Sequence, residues 1–231
     1  MQEAWSREEF VGRLQEVGTH GYHHLHPFHI RMNAGDLDQS SIRLWVANRF
    51  YYQCSIPRKD AAILANCPVR DVRQKWIKRI IDHDGKEGQE GGIEKWIRLA
   101  IACGFTREET IDERHVLPGV RFAADAYVNL ARTKPWPIAI ASSLTELFAP
   151  DLMAKRLDAF QKYYTWIVPD GLDYFRGRLM QAREDSEFAL CVTLEYCVNR
   201  DMQEAAVNAL RFKCDVLWSM LDALTLASQV S

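Results

Sequence analysis

Residues 45–59, WVANRFYYQCSIPRK, decide the fold class, because they predict a mostly buried helix that carries polar groups. At about 100° per residue, Trp45, Arg49, Tyr52, Gln53 and Ile56 fall on one narrow sector of that helix. The opposite side carries apolar side chains that can pack, so we expect both sides to face protein. Buried polar groups need partners, and a ligand is one candidate. The stretch therefore predicts one wall of a ligand pocket.

Helix signals recur along the rest of the chain, while strand signals are nearly absent. Ser6 and Thr106 each precede a glutamate by three residues, which is the pattern of a capping box. Pro57 predicts a bend or break in the helix that contains it, because proline clashes with the carbonyl four residues earlier. The glycine-rich residues 85–92 predict a loop. The whole pattern predicts an all-α fold, a compact bundle of about seven helices, in a single domain over residues 1–231.

Composition narrows the classes of partner. The chain has 231 residues, of which 48% are hydrophobic and 26% charged, with a formal net charge of −2. That charge gives no electrostatic reason to expect nucleic acid or an anionic membrane as a partner. No apolar run approaches the ~20 residues that span a bilayer, and no secretory signal precedes the first helix. The six cysteines form no CxxC pair and indicate the reduced thiols of a cytoplasmic protein.

Standard cofactor motifs are missing, and one histidine cluster leaves two interpretations open. The glycines at 85–92 lack the GxGxxG spacing, and the chain has no Walker-type loop and no HExxH. All seven histidines precede Val116, and five of them lie in residues 20–29: His20, His23, His24, His26 and His29. The cluster could bind a metal, since neutral imidazole is a common ligand. It could equally be a polar, partly exposed connector with one or two histidines turned inwards.

Cationic side chains at helical spacing indicate an anion-binding cavity. Three pairs stand four residues apart: Arg49 with Gln53, Arg79 with His83, and Tyr174 with Arg178. Each pair alone is typical of surface ion pairing. If the bundle brings them together with Lys213, four cations surround one cavity, which would select a small, multiply anionic ligand. His83 is then the candidate proton shuttle, because the unperturbed imidazole pKa is about 6.5.

Six long blocks of the sequence carry a resemblance to a known family. They are RLWVANRFYYQCSIPRKDAAILANCP at 43–68, KRIIDHDG at 78–85, RHVLPGVRFAADAYVNLAR at 114–132, ASSLTELFAP at 141–150, YFRGRLMQA at 174–182 and FKCDVLWSMLDA at 212–223. Together they closely resemble the pyrroloquinoline quinone synthase (PqqC) family over residues 22–223. The resemblance is specific, because several of these blocks are long and unusual.

The resemblance implies a fold, a reaction and partners. The fold would be heme-oxygenase-like (thiaminase-like), and the chain would form a homodimer. The reaction would be the last step of pyrroloquinoline quinone (PQQ) biosynthesis, which is ring closure and eight-electron oxidation of a bicyclic amino-tricarboxylate by dioxygen, with release of hydrogen peroxide. It would need no metal and no organic cofactor, so the quinoid substrate itself would supply electrons to dioxygen.

The resemblance also implies roles for individual residues. The substrate-binding set would be Tyr22, Arg49, Tyr52, Gln53, Lys59, Arg79, Tyr127, Thr145, Glu146 and Arg156. The catalytic set would be His83, Tyr174, Arg178, His23 and Lys213. Within it, His83 would be the principal acid and base, and Tyr174 and Arg178 would border the dioxygen and peroxide site.

One position departs from the family pattern. Family members carry a histidine three residues before the position of Arg156, next to the oxygen site, and this chain has Met153 there. Methionine neither transfers a proton nor donates a hydrogen bond. Two consequences stay open: late oxidation steps are slowed, or the position tolerates an apolar residue beside dioxygen.

Three other functions compete with this interpretation. A di-iron oxidase on the same bundle would need histidines on several helices, yet no histidine follows His115. A thiamin-hydrolysing enzyme would need a cysteine nucleophile, for which Cys54 and Cys214 are candidates. A non-catalytic quinone-binding or delivery protein would bind the quinone without oxidising its precursor.

Overall fold

The computed structural model describes residues 2–148 and 151–230, and at residues 146, 148, 180–185 and 230 only the backbone is described. Within these ranges the chain forms eleven α-helices: α1 (Arg7–Gly21), α2 (Pro27–Ala34), α3 (Gln39–Asn66), α4 (Arg70–Asp84), α5 (Gly92–Ala102), α6 (Arg107–Ile111), α7 (Pro118–Thr133), α8 (Trp136–Ala141), α9 (Leu152–Tyr163), α10 (Asp173–Tyr196) and α11 (Arg200–Val230). Three 3₁₀ helices join them: His23–Leu25, Leu144–Phe148 and Pro169–Leu172. The all-α prediction is confirmed, with more helices than the predicted seven.

Local capping explains where several helices begin and end. The Ser6 hydroxyl accepts a hydrogen bond from the Glu9 amide, and Asp38 accepts one from the Ser41 amide at 2.8 Å. Thr106 and Glu109 make the full reciprocal capping box of α6. These side chains satisfy amide groups that the first turn of a helix leaves without intrahelical partners. The helix starts predicted at Ser6 and Thr106 are confirmed.

The sequence predicts a bend or a break at Pro57, and the break is wrong, because helix α3 continues through Pro57. The helix has 28 residues and packs against α4, α5 and α7. Fifteen of its residues are buried, among them Trp45, Tyr52 and Ile63. Packing on several sides compensates for the ~3 kcal/mol that a proline costs inside a helix. The continuity matters because α3 carries site residues on both sides of Pro57.

Residues 85–92 were expected to form a loop, but four of them pair as a short hairpin. Strand β1 (Gly85–Lys86) runs antiparallel to β2 (Gln89–Glu90), with Gly85 opposite Glu90. Gly85 has a φ of 85°, and a Cβ added there would lie 2.6 Å from the Gln89 carbonyl oxygen. Only glycine fits this turn without strain. The hairpin joins α4 to α5 and lies beside α10.

One hydrophobic core joins the helices. It includes large aromatic side chains from separate elements, for example Trp45 on α3, Trp96 on α5 and Phe160 on α9. The rings of Trp45 and Trp96 lie 5.4 Å apart, and those of Trp45 and Phe160 lie 5.9 Å apart. No helix in the described part of the chain combines the length and apolarity that a membrane crossing requires. All six cysteines are free thiols.

Candidate active site

The structure gathers most of the predicted site residues into a buried cluster, to which eight elements contribute. Helix α3 supplies Arg49, Tyr52, Gln53 and Lys59; α4 supplies Arg79 and His83; α7 supplies Tyr127; α9 supplies Arg156; α10 supplies Tyr174 and Arg178; α11 supplies Lys213; Tyr22 and His23 lie at the first 3₁₀ helix and Thr145 lies in the second. Arg49 is partly buried, and the other side chains in this set are buried. The Glu146 side chain was also predicted to line the site, but it lies outside the part of the chain whose side chains are described.

One half of the cluster is built from two tyrosines and a lysine. The Lys213 ammonium donates a hydrogen bond to the Tyr52 hydroxyl and lies 3.7 Å from the centroid of the Tyr127 ring. The rings of Tyr52 and Tyr127 are stacked, with an interplanar angle of 10°. Arg49 places its guanidinium carbon 4.1 Å from the centroid of the Tyr52 ring. Cation–π contact stabilises both charges in a buried setting.

The other half is organised around Asp60, a residue that the sequence did not point to. The Lys59 ammonium donates to Asp60 Oδ1 at 2.5 Å and to the Ser143 hydroxyl at 3.0 Å. The Trp76 indole donates to the same Asp60 oxygen at 2.9 Å, and Arg79 Nε lies 3.5 Å from Asp60 Oδ2. Burial alone would raise the pKa of Asp60, but the Lys59 and Arg79 charges outweigh it and hold the pKa below its ordinary value. Asp60 is therefore an ionised, buried counter-ion.

His83 lies beside this half and is neutral at neutral pH. Burial, followed by the positive charge of Arg178, lowers the pKa of His83 to about 4. His83 Nδ1 lies 2.9 Å from the Arg79 carbonyl oxygen, which can only accept, so Nδ1 carries the proton and Nε2 the lone pair. The negative charge of Asp60 acts in the opposite direction and raises the pKa of His83.

Tyr174 connects α10 to the polar side of α3. Its hydroxyl donates to Gln53 Oε1 at 3.0 Å, and its ring makes an edge contact with Trp96 at 4.7 Å between centroids. Arg178, one turn further along α10, contributes the positive charge that lowers the pKa of His83. Met153 is half-buried against the core on α9, three residues before Arg156. The predicted pairing of Tyr174 and Arg178 on one helix face agrees with these contacts.

Arg156 lies close enough to Arg49, His23 and His29 for their charges to affect one another. The Arg156 guanidinium carbon lies 5.2 Å from the centroid of the Trp45 ring, and burial, followed by the Arg49 charge, lowers its pKa to about 9. Arg156 Nε and Nη2 are buried without a protein partner in the described chain, as are both ring nitrogens of His23 and Nε2 of His29. Burial, followed by neighbouring cations, holds the pKa of both histidines well below the ordinary value. Buried polar atoms of this kind are available to a ligand.

The histidine cluster is more deeply buried than its sequence suggested. His23, His26 and His29 are all buried, whereas one or two inward histidines were expected. The ring of His29 packs edge-on against that of His23, with centroids 4.7 Å apart. No group of three or more His, Cys, Asp and Glu side chains in the described residues is placed to hold a metal ion. The cluster therefore gives no support to the metal-binding interpretation.

Among the side chains that the structure describes, cations outnumber carboxylates in the site. The described set contains six cations, which are Arg49, Lys59, Arg79, Arg156, Arg178 and Lys213. Asp60 is the one carboxylate that we place among them. Buried cations need counter-charges, because removing charge from water costs several kcal/mol per ion. A ligand with several carboxylates would supply those charges and could accept bidentate hydrogen bonds from arginine.

Four residues contribute to the site although the sequence did not predict them individually as site residues: His29, Asp60, Trp76 and Ser143. Asp60 follows Lys59 directly, and adjacent residues on a helix point about 100° apart, so spacing gave no reason to place both in one cluster. Ser143 lies in the same sequence block as Thr145, and this was the one sequence signal that could have identified it.

The two cysteines that are candidate nucleophiles of a thiamin-hydrolysing enzyme, Cys54 and Cys214, are unsuited to that role. Burial raises the pKa of Cys54 to about 12 and that of Cys214 to about 11.

Comparison with known families gives this cluster its context. The model of the TENA/THI-4/PQQC family matches residues 13–223. The chain belongs to this family. Within it, a relative from Pseudomonas aeruginosa is 55% identical over 227 residues, which cover 98% of this chain and 90% of that protein. A relative from Cronobacter sakazakii is 55% identical over 220 residues, covering 95% and 87%. Both relatives are named pyrroloquinoline-quinone synthase.

Solved structures confirm the predicted heme-oxygenase-like fold. A TenA homolog from Pseudomonas syringae pv. tomato superimposes with a TM-score of 0.75 at 12% identity, over 98% of this chain and 99% of that one. A domain of unknown function with a heme oxygenase-like fold, from Shewanella denitrificans, gives a TM-score of 0.75 at 12% identity over 96% and 91%. At this identity the likeness concerns the fold alone. The TENA/THI-4/PQQC chain therefore shares an architecture with proteins of very different sequence.

Proposed function

We propose that this chain is a pyrroloquinoline-quinone synthase, an oxidoreductase that uses dioxygen as acceptor. It closes a ring and removes eight electrons from a bicyclic amino-tricarboxylate precursor, and it releases PQQ and hydrogen peroxide. The observation that carries the proposal is the identity of 51–55% with proteins of that name over nearly the whole chain. The buried, cation-rich cluster supports it independently, because such a site suits a ligand with several carboxylates.

The substrate would be held chiefly by its carboxylates. Arg49 and Arg156 stand at one part of the cluster, and Lys59 and Arg79 at another. A rigid tricarboxylate could bridge these cations and compensate their charge. Tyr52 and Tyr127 offer flat ring faces and hydroxyls between the cations, and the other proposed contacts are Tyr22, Gln53, Thr145 and Glu146.

His83 would act as the principal base. It is neutral in the unliganded site and presents the Nε2 lone pair, so it can accept a proton from the substrate amine during ring closure or from a ring carbon later. The negative charge of a bound tricarboxylate would raise the pKa of His83. The imidazolium formed in this way could return the proton at a later step. His23 and Lys213 are further proposed proton-transfer groups.

Tyr174 and Arg178 would border the reduced oxygen species. As dioxygen accepts electrons from the substrate, negative charge develops on its oxygens, and a fixed guanidinium and a phenol hydroxyl can stabilise that charge. Met153 would lie beside this site, where its thioether has no hydrogen bond to donate. The electrons would come from the substrate itself, so the proposed reaction requires no metal and no organic cofactor.

The partners and location are also part of the proposal. We expect a homodimer, on the basis of the family resemblance, with no nucleic acid and no membrane as partners. The free thiols of all six cysteines suit a reducing compartment such as the cytoplasm.

A single-turnover experiment tests the proposed reaction. Purified protein in excess is mixed with the bicyclic precursor in air-saturated buffer, and the quinone absorption and hydrogen peroxide are followed together. The expected result is formation of PQQ with peroxide, and no conversion in a matched anaerobic sample. Tight binding of the precursor without conversion would instead support the quinone-binding or delivery alternative. Two stoichiometric iron atoms in the purified protein would support the di-iron alternative.

A further inference from the structure

A small surface cleft ends at the two residues assigned above to the oxygen site. Its volume is about 140 Å³, and it lies between the hairpin of β1 and β2, the start of α5 and the first part of α10. Tyr174 and Arg178 line the cleft although both side chains are buried. They therefore form its inner end.

The same two side chains also belong to the buried cluster of site residues. The Tyr174 hydroxyl donates to Gln53, and the charge of Arg178 acts on buried His83. Tyr174 and Arg178 are thus a wall shared by the cleft and the cluster.

The size and lining of the cleft restrict what it can pass. Its volume is below the roughly 300 Å³ at which pockets for drug-sized ligands begin. Water occupies ~30 Å³ per molecule in the liquid, so the cleft has room for a few molecules of that size. Charged side chains line it, among them Asp82, Lys86 and Lys95. This lining suits a small hydrogen-bonding molecule such as hydrogen peroxide and does not exclude dioxygen.

From this geometry we infer that the cleft is the passage by which dioxygen reaches the Tyr174–Arg178 wall and hydrogen peroxide leaves it. The tricarboxylate uses a different entrance. The inference rests on the proposed function, since it assigns a route to that reaction. It makes Gly92 and Gly177, which line the cleft, determinants of access for small oxygen species.

Gly92 offers a way to narrow the passage. A Cβ added at Gly92 would lie 3.4 Å from Tyr174 Cε2 and 3.5 Å from the Asp82 carbonyl oxygen, which are ordinary contacts. A methyl group therefore fits, whereas a leucine must fill part of the cleft or displace the Tyr174 ring. On the opposite wall, a Cβ at Gly177 would lie 3.3 Å from Lys95 Nζ, the end of a flexible side chain.

The test measures the KM for dioxygen with an oxygen electrode at saturating precursor, in wild type, Gly92→Leu and Gly177→Leu. We expect each variant to raise this KM at least about fivefold, because a narrowed route slows association. The dissociation constant of PQQ, measured anaerobically, should change less than twofold. Glu87→Leu is the matched control: it adds the same side chain at an exposed hairpin position outside the cleft lining, and should leave both constants unchanged.

Each outcome has a defined meaning. An unchanged KM for dioxygen in both variants, with PQQ still bound, would overturn the passage and leave the proposed function intact. Weakened PQQ binding in both variants would also overturn it, because the substitutions would then act on the substrate site. A wild-type chain that does not convert the precursor would overturn the proposed function and the passage together. If one variant fails to fold, the other decides, since they stand on opposite walls.

Discussion

At the scale of single residues, burial changes what His83 can do. An exposed imidazole would be partly protonated near neutral pH, whereas the pKa of about 4 leaves His83 unprotonated. It can then accept a proton as soon as substrate binds, without first losing one. The sequence identified the residue but not this state, because desolvation and the Arg178 charge depend on helices far apart in the chain.

This state leads to a prediction for His83→Ala. The variant should still bind PQQ within about threefold of wild type, because the cations that hold the carboxylates are retained. Loss of a positioned base should slow product formation by about 10²–10⁴-fold. Anaerobic titration gives the first quantity and single-turnover absorption the second. An unimpaired rate would remove His83 from its proposed role.

Substitutions of Met153 test what this position, at which the chain departs from the family pattern, contributes to the reaction. Tyr174 and Arg178 are the donors proposed for the oxygen site and both are retained, so we expect Met153→His to change the rate of the late oxidation steps by less than about tenfold. Tyr174→Phe, which removes a hydroxyl bonded to Gln53, should slow those steps by about 10²-fold. Stopped-flow absorption resolves the steps, and Met153→Leu is the size-matched control. A hundredfold acceleration in Met153→His would mean that methionine slows this enzyme.

At the scale of elements, α3 supplies polar side chains to both halves of the site. One uninterrupted helix carries Arg49 in the half of the cluster that contains Tyr127, and Lys59 and Asp60 in the other half. Asp60 neutralises part of the charge on Lys59 and Arg79. The free energy of folding therefore depends in part on one carboxylate in the C-terminal half of the helix.

Replacing that carboxylate should destabilise the protein strongly. Asp60→Asn keeps the size of the side chain but leaves Lys59 and Arg79 buried beside a neutral group. Breaking a buried ion pair by removing one partner costs about 3–5 kcal/mol, and we expect a loss in that range in urea unfolding at pH 7. The exposed Asp125, which accepts a hydrogen bond from Tyr51, is the control, and Asp125→Asn should cost about 1 kcal/mol. Equal losses in both variants would contradict this account of Asp60.

Helix spacing predicted part of this element and could not predict the rest. The pair Arg49 and Gln53 was found because residues four apart share a helix face. The continuity through Pro57 was missed because propensity describes an isolated helix, while packing on α4, α5 and α7 decides the outcome. Asp60 was missed because its partners Trp76 and Arg79 come from another helix. Partners between helices leave no periodic signal in one sequence.

At the scale of the whole molecule, helix existence was easier to predict than helix assembly. Caps at Ser6 and Thr106 are local features and were recognised from the sequence. The environment of His23 and His29 is not local, because Trp45 on α3 contacts the His29 ring and the charge of Arg156 on α9 acts on both histidines. The resemblance to a family placed His23 in the site in advance but not His29, and spacing alone left the cluster as either a metal site or a partly exposed connector.

The three buried histidines at the site make the stability of the whole protein depend on pH. His23, His29 and His83 all have folded-state pKa values below the ordinary 6.5. Above pH 6.5 both states are neutral and the full stability is present. As the pH falls below 6.5 the unfolded chain binds protons that the folded chain does not, so the free energy of unfolding decreases.

The size of this effect can be measured by urea unfolding at pH 7, 6 and 5. With a folded pKa of about 4, His83 alone should reduce the free energy of unfolding by about 2 kcal/mol between pH 7 and pH 5. His83→Gln should remove that share of the pH dependence, while His20→Gln, at an exposed position, should leave the slope unchanged. Asp60 does not confound the measurement, because its lowered pKa places its protonation below this window. The same free energy of unfolding at pH 5 and pH 7 would mean that the histidines protonate inside the folded protein, and His83 would then be charged before substrate arrives.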